Sequence, residues 1–277
     1  MQARLVIAVL AAICGPACGG SSPSAPSGPD LPPGPTPAPI VASGENWSLR
    51  LNDFTGAPAN TISPGGLIII PTYGSGMPLL ALEGAFNTSM GSVSAVLQPF
   101  GRCFDWDTNR VRFTGTRSGN TVELEGQPNQ AQVVRITLTM SGSGDAAEGT
   151  YTISGGCANG SNGRISGRRV NLASVWTGMM GTIPVRLDML MAPAPDPDGN
   201  FNVSGTAAFT GTPCFANAEI TRRARGRIIF PDILSATHRM ELIAEVWHDL
   251  SAMKVSWALT QGSCSELQGG DTTLFRQ

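Results

Sequence analysis

The chain has 277 residues, enough for one large domain or two small ones. Only 14% of residues are charged, the net charge is −2 and the pI is about 5.7, which excludes the basic stripe that nucleic-acid binding requires. Glycine (34) and proline (21) are abundant and no segment keeps an apolar i, i+3, i+4 stripe for three turns, so an all-β chain is predicted rather than a helical one.

The elements begin with an address. Met1–Arg4 carries one positive charge, and Leu5–Ile13 is an unbroken apolar run of nine residues, far short of the roughly 20 needed to cross a bilayer. A charged start, a short apolar stretch and small residues beyond it describe a secretory signal peptide over 1–17. The next segment, Gly15-Pro16-Ala17-Cys18, resembles the lipobox of bacterial lipoproteins, with Gly15 where that family usually has leucine. The resemblance implies cleavage before Cys18, a diacylglycerol on its thiol and attachment to a membrane. Gly19 in place of an aspartate implies sorting to the outer membrane, facing periplasm or cell surface. Cys14 follows bulky Ile13 and is the poorer acceptor. The alternative is a secreted protein cut near Ala17 without lipid.

Residues 18–44 read as a linker carrying the lipidated cysteine. Eight prolines and one charge, Asp30, leave nothing that could pack. Extended at about 3.1 Å per residue, it would hold a domain on the order of 80 Å from a surface.

Cys103, Cys157, Cys214 and Cys264 remain, and outside the cytoplasm an even set reads as disulfides. Three pairings are possible, and an internal repeat selects among them. "GAFN" at 84–87 resembles "GNFN" at 199–202, "VSA" at 93–95 resembles "VSG" at 203–205, and "CF" recurs at 103 and 214. Cys103 to Cys157 spans 54 positions and Cys214 to Cys264 spans 50; Gly119 follows its cysteine by 16 and Gly226 by 12. One deletion of four between cysteine and glycine explains both differences. Gly163 and Gly270 each lie six after the second cysteine of their half. A tandem duplication is predicted, over 45–170 and 171–277, with bridges Cys103–Cys157 and Cys214–Cys264. A zinc site is disfavoured, because no close cysteine pair occurs.

Strand alternation is clear within each unit. Val122 and Leu124 alternate with glutamates, as do Val134, Ile136, Leu138 and Met140 with polar residues, and Tyr151 and Ile153 sit among hydroxyl side chains. The second unit repeats this at Met240–Val246 and Val255–Leu259. One apolar and one wet face mark antiparallel sheet. Turn signals "SGN" at 118–120, "SGSGD" at 141–145, "DGN" at 198–200 and "RARG" at 223–226 separate the runs. About eight short strands per unit are expected, forming a meander closed as a small barrel or folded as a sandwich.

Candidate sites are few. Asp105-Trp106-Asp107, in the stretch the second unit lacks, offers a ring for sugar stacking between carboxylates; a turn is the plain alternative. Arg222, Arg223, Arg225 and Arg227 form the densest positive patch and Arg168-Arg169 a lesser one, suited to a lipid headgroup, a phosphate or an acidic partner. A solvated strand face guarded by charge is the commoner use of such a run. Asp196, Asp198 and Asn200 resemble a calcium loop, but glycine stands at the fourth place and a hairpin turn fits better. His238 and His248 bracket one predicted strand, too far apart for a shared site. Met189 and Met191 share a strand face and read as core. No nucleophile elbow, phosphate loop, dinucleotide fingerprint or zinc-protease motif occurs. The reading is a lipid-anchored, extracytoplasmic β protein with a binding or structural role in the cell envelope, without cofactor or metal. Its partners are the membrane and an envelope polysaccharide, lipid headgroup or protein. The alternatives are a small-ligand barrel of lipocalin- or avidin-like architecture and, less favoured, a hydrolase.

Overall fold

The computed structural model describes residues 44–51, 80–100, 110–129 and 131–277. The signal peptide, Cys18, the linker, Cys103 and Asp105-Trp106-Asp107 lie outside the described residues. Both barrels described below belong to one compact unit, Ile40–Gln277.

The first barrel is built from β1 (Glu45–Leu51), β2 (Leu80–Asn87), β3 (Gly91–Phe100), β4 (Val111–Ser118), β5 (Thr121–Asn129), β6 (Gln132–Met140), β7 (Ala146–Ser154) and β8 (Asn162–Arg169). The second comprises β9 (Ser174–Met180), β10 (Ile183–Pro195), β11 (Phe201–Phe209) and β12 (Ala218–Arg225), then β13 (Ile228–Leu234), β14 (Arg239–Val246), β15 (Ala252–Gln261) and β16 (Gly269–Arg276). Each strand pairs antiparallel with the next, and each set closes on itself, β1 with β8 and β9 with β16. The described residues are therefore all-β, two eight-stranded antiparallel meanders, and each barrel closes alone. Closure removes the open edges a flat meander would expose.

Alternation decides which side chains fill each barrel. In β6, Val134, Ile136, Leu138 and Met140 are buried while Arg135, Thr137 and Thr139 face out. Trp47, Phe86, Phe113 and Tyr151 anchor the first core; Trp176, Phe215, Trp257 and the aliphatic residues of β13–β15 anchor the second. Eight strands give an interior that side chains just fill. An apolar inside with a polar outside is the inverse of a lipid-facing barrel.

Equivalent links carry equivalent features. A short 3-10 turn follows the seventh strand in both barrels, at Gly156–Ala158 and Ser265–Leu267. The second barrel's cysteines bridge Cys214, between β11 and β12, to Cys264, between β15 and β16. In sequence, Cys103 and Cys157 fall on the matching β3–β4 and β7–β8 links. Gly119 and Gly226 close the matching hairpins β4–β5 and β12–β13, with φ of 59° and 55°, a conformation that costs glycine nothing. "VSA" and "VSG" occupy the third to fifth places of β3 and β11. "GAFN" and "GNFN" do not correspond: the first ends β2, whereas the second spans the β10–β11 turn. The shared letters there reflect how often glycine and asparagine recur at strand ends, not descent from one segment.

Candidate functional site

In β1, Trp47, Leu49 and Leu51 point inward, so Asn46, Ser48 and Arg50 point out; in β2, Leu82 and Phe86 point inward and Glu83 and Ala85 out. Residues at such outward positions normally meet water. Here Ser48 and Glu83 are 0% exposed and Asn46 2%, because the β12–β13 and β10–β11 turns of the second barrel seat on this wall.

The contacts are specific. Asn46 Nδ2 donates to Gly226 O at 2.9 Å, and Gly226 N donates to Asn46 Oδ1 at 2.6 Å. Arg227 N donates to Glu83 Oε2 at 2.9 Å, and Ser48 Oγ donates to Glu83 Oε1 at 2.8 Å. The Arg227 guanidinium donates to Ser48 Oγ at 3.0 Å and Val246 O at 2.9 Å, and lies 3.6 Å from Glu83 and 3.5 Å from Glu245. A Cβ on Gly226 would overlap the Glu83 carboxylate, so only glycine permits this approach. Beside it, Phe201 packs on Ala85 and Val96 with Met191 against them, and Arg110 pairs with Asp198.

Burial raises the Glu83 carboxyl to about 7, against the pull of Arg227 and the Ser48 hydroxyl. Glu245 is raised by the same cause, opposed by Arg227, Arg50 and Lys254. His248 is lowered by burial and by Arg227, Arg50 and Arg168 around it. A hydroxyl bonded to a carboxylate invites a catalytic reading, but Ser48 and Glu83 are wholly enclosed and no substrate reaches them. The arrangement locks two barrels together.

The arginine patch read from the sequence is dispersed. Arg225 is buried against Asn200 Oδ1 at 3.0 Å, and burial lowers it to about 10. Arg222 adopts φ 109° and pairs with Asp232 at 2.8 Å, beside Arg239 and Glu241 on the outer wall. Arg223 is exposed. Arg169 pairs with Glu45 at 2.7 Å, and Arg168 donates to His248 O at 3.1 Å.

Asp196 is a turn residue. Burial pushes its carboxyl up, but hydrogen bonds from Asn200 and from the Asp198 amide outweigh this and lower it. His238 and His248 sit at opposite ends of β14. His238 rests on Phe215, near the disulfide end of the barrel. Met189 is core, and Met191 packs at the junction. Among the described residues, the one grouping of three metal-ligand side chains is Cys214, Cys264 and Glu266, whose thiols are spent in the disulfide.

Comparison with family models, curated proteins and solved structures finds no match for this chain.

Asn46, Ser48 and Glu83 escaped the sequence reading because each stands alone among strand residues. Only the "RARGR" run hinted at the junction, and charge density alone could not separate a buried lock from an open patch.

Proposed function

We propose that the protein is a non-enzymatic, extracytoplasmic binding module, tethered to a membrane by a lipid on Cys18 and held off it by the linker 18–44. The observation that carries this reading is that, among the described residues, the most perturbed carboxylate, Glu83, is enclosed while the accessible polar side chains lie on the outer walls. The second barrel's core, among Leu187, Ile220, Ile233, Leu242 and Val255, leaves no space for a water molecule, so the small-ligand barrel gains no support from it. The polar cluster with the strongest perturbation is sealed inside the barrel junction. Chemistry directed at a partner is left to the outer walls.

The oxidised Cys214–Cys264 pair fits an oxidising compartment. We infer the equivalent bridge Cys103–Cys157 in the first barrel, since those cysteines occupy the matching links in sequence. Peptide mapping without reductant should recover it, and a free Cys103 thiol would refute it. The anchor is tested by Cys18→Ala in cells. The variant should leave the detergent-extracted membrane fraction for the soluble one, and retention at the membrane would sink the lipid reading.

A further inference from the structure

The outer wall of the second barrel carries two large exposed rings beside the junction. Trp247 follows β14 directly after inward Val246 and is 48% exposed; Phe275, outward on β16, is 53% exposed. Both flank outward Ala252 of β15. Trp247 N donates to Ala252 O at 2.8 Å, and Ala252 is the register partner of Phe275. The backbone positions that carry the rings thus stand two strand spacings apart, roughly 10 Å, on either side of a small buried residue. That separation suits successive rings of a sugar chain better than one compact ligand.

The neighbouring wall is cationic. Arg168 of β8 donates to the carbonyl of His248, the residue after Trp247, and Arg50 of β1 lies on the adjacent strand, diagonal to it across the pairs Ser48–Arg168 and Arg50–Ser166. The carboxylates nearby are already engaged: Glu245 and Glu83 with Arg227, and Asp249 with the amide and hydroxyl of Ser251. Burial lowers His248, and Arg227, Arg50 and Arg168 lower it further against the pull of Asp249. The positive side chains Arg50 and Arg168, continuous with the barrel junction and on the same side as the two rings, complement an anionic partner with flat apolar faces.

We propose that this outer face binds an acidic polysaccharide, whose sugar rings stack on Trp247 and Phe275 while its carboxylate or sulfate groups pair with Arg50 and Arg168. The assignment deepens the binding-module reading, but it does not depend on the lipid anchor, which the Cys18 variant tests separately.

The experiment is affinity electrophoresis of the detergent-solubilised full chain through gels containing polygalacturonate, heparin or uncharged dextran. Polygalacturonate or heparin should retard the protein and dextran should not, with retardation weakening as salt rises. Trp247→Ala and the pair Arg50→Gln/Arg168→Gln should each weaken apparent affinity at least tenfold. Arg135→Gln, on the first barrel and paired only with Glu125 on its surface, should leave it unchanged. Unaltered circular dichroism establishes that each variant is folded, and Phe275→Ala replaces any that is not. No retardation by either acidic chain overturns the proposal. So does retardation that survives the loss of Trp247, or binding shown only to phosphatidylglycerol vesicles.

Discussion

Replacing Glu83 by glutamine gives the sharpest test of the junction. In the folded protein Glu83 titrates at about 7, against 4.5 for the free side chain. Below 4.5 the group is protonated whether the chain is folded or not. Between 4.5 and 7 the folded protein keeps a proton that the unfolded chain has released, so ionisation works against folding. The stability tied to this group is therefore fully present below pH 4.5 and is lost as pH rises through 7. The gap of 7 − 4.5, converted at about 1.4 kcal/mol per pH unit, is worth about 3–4 kcal/mol in full, most of it falling between pH 5 and pH 8. Raised Glu245 acts in the same direction; lowered His248 acts oppositely, its contribution lost as pH falls. Comparing wild type with Glu83→Gln cancels both to first order. In urea unfolding, the wild-type advantage over the variant should shrink by about 3 kcal/mol between pH 5 and pH 8. A difference that stays level across that range would show that the Glu83 carboxyl is not buried as described.

Arg227→Met leaves Glu83 and Glu245 without their guanidinium, and at pH 8 should cost about 3–5 kcal/mol in the same assay, less at pH 5 where Glu83 is neutral. Removing both cysteines of the Cys214–Cys264 bridge, which spans 50 positions, should lower stability by about 4 kcal/mol from loop-closure entropy, read as a drop in urea midpoint. Gly119→Ala meets open space and should cost about 1 kcal/mol for its positive φ. Gly226→Ala, equivalent in the hairpin but jammed against Glu83, should cost several times more by thermal unfolding; equal costs would deny the junction.

Much of the fold was legible because it is written in nearest-neighbour terms. Alternation at Val134–Met140 or Met240–Val246 depends only on which side of a strand is wet, and the hairpin glycines depend only on local φ. Eight positions separate Cys103 from β4 and four separate Cys214 from β12, so the difference of four between the halves falls ahead of the fourth strand of each barrel. Motif matching by letters alone failed at "GAFN", where no strand position was enforced. Choosing barrel over sandwich required the β1–β8 and β9–β16 seams, and these join residues too distant in sequence for any local pattern to record.

The junction was illegible for a deeper reason. Asn46, Ser48 and Glu83 obey the alternation rule, pointing away from their own core, and what buries them is another barrel. Each barrel closes its own sheet, Phe201 covers only the small apolar spot at Ala85 and Val96, and the orientation of the docking is fixed by directional groups. Glu83 accepts from the Ser48 hydroxyl and the Arg227 amide at once, while Asn46 both gives to and takes from the Gly226 peptide. Near neutral pH the buried carboxylate opposes folding by the linkage above, so net stability does not explain its presence. Orientation does: these bonds form at one placement of the β12–β13 turn, and an apolar pair of equal volume would tolerate many. That placement also sets the β14–β15 turn against Arg168, which brings Trp247 beside the arginines of the first barrel. The lock and the placing of Trp247 beside Arg168 are consequences of the same few hydrogen bonds.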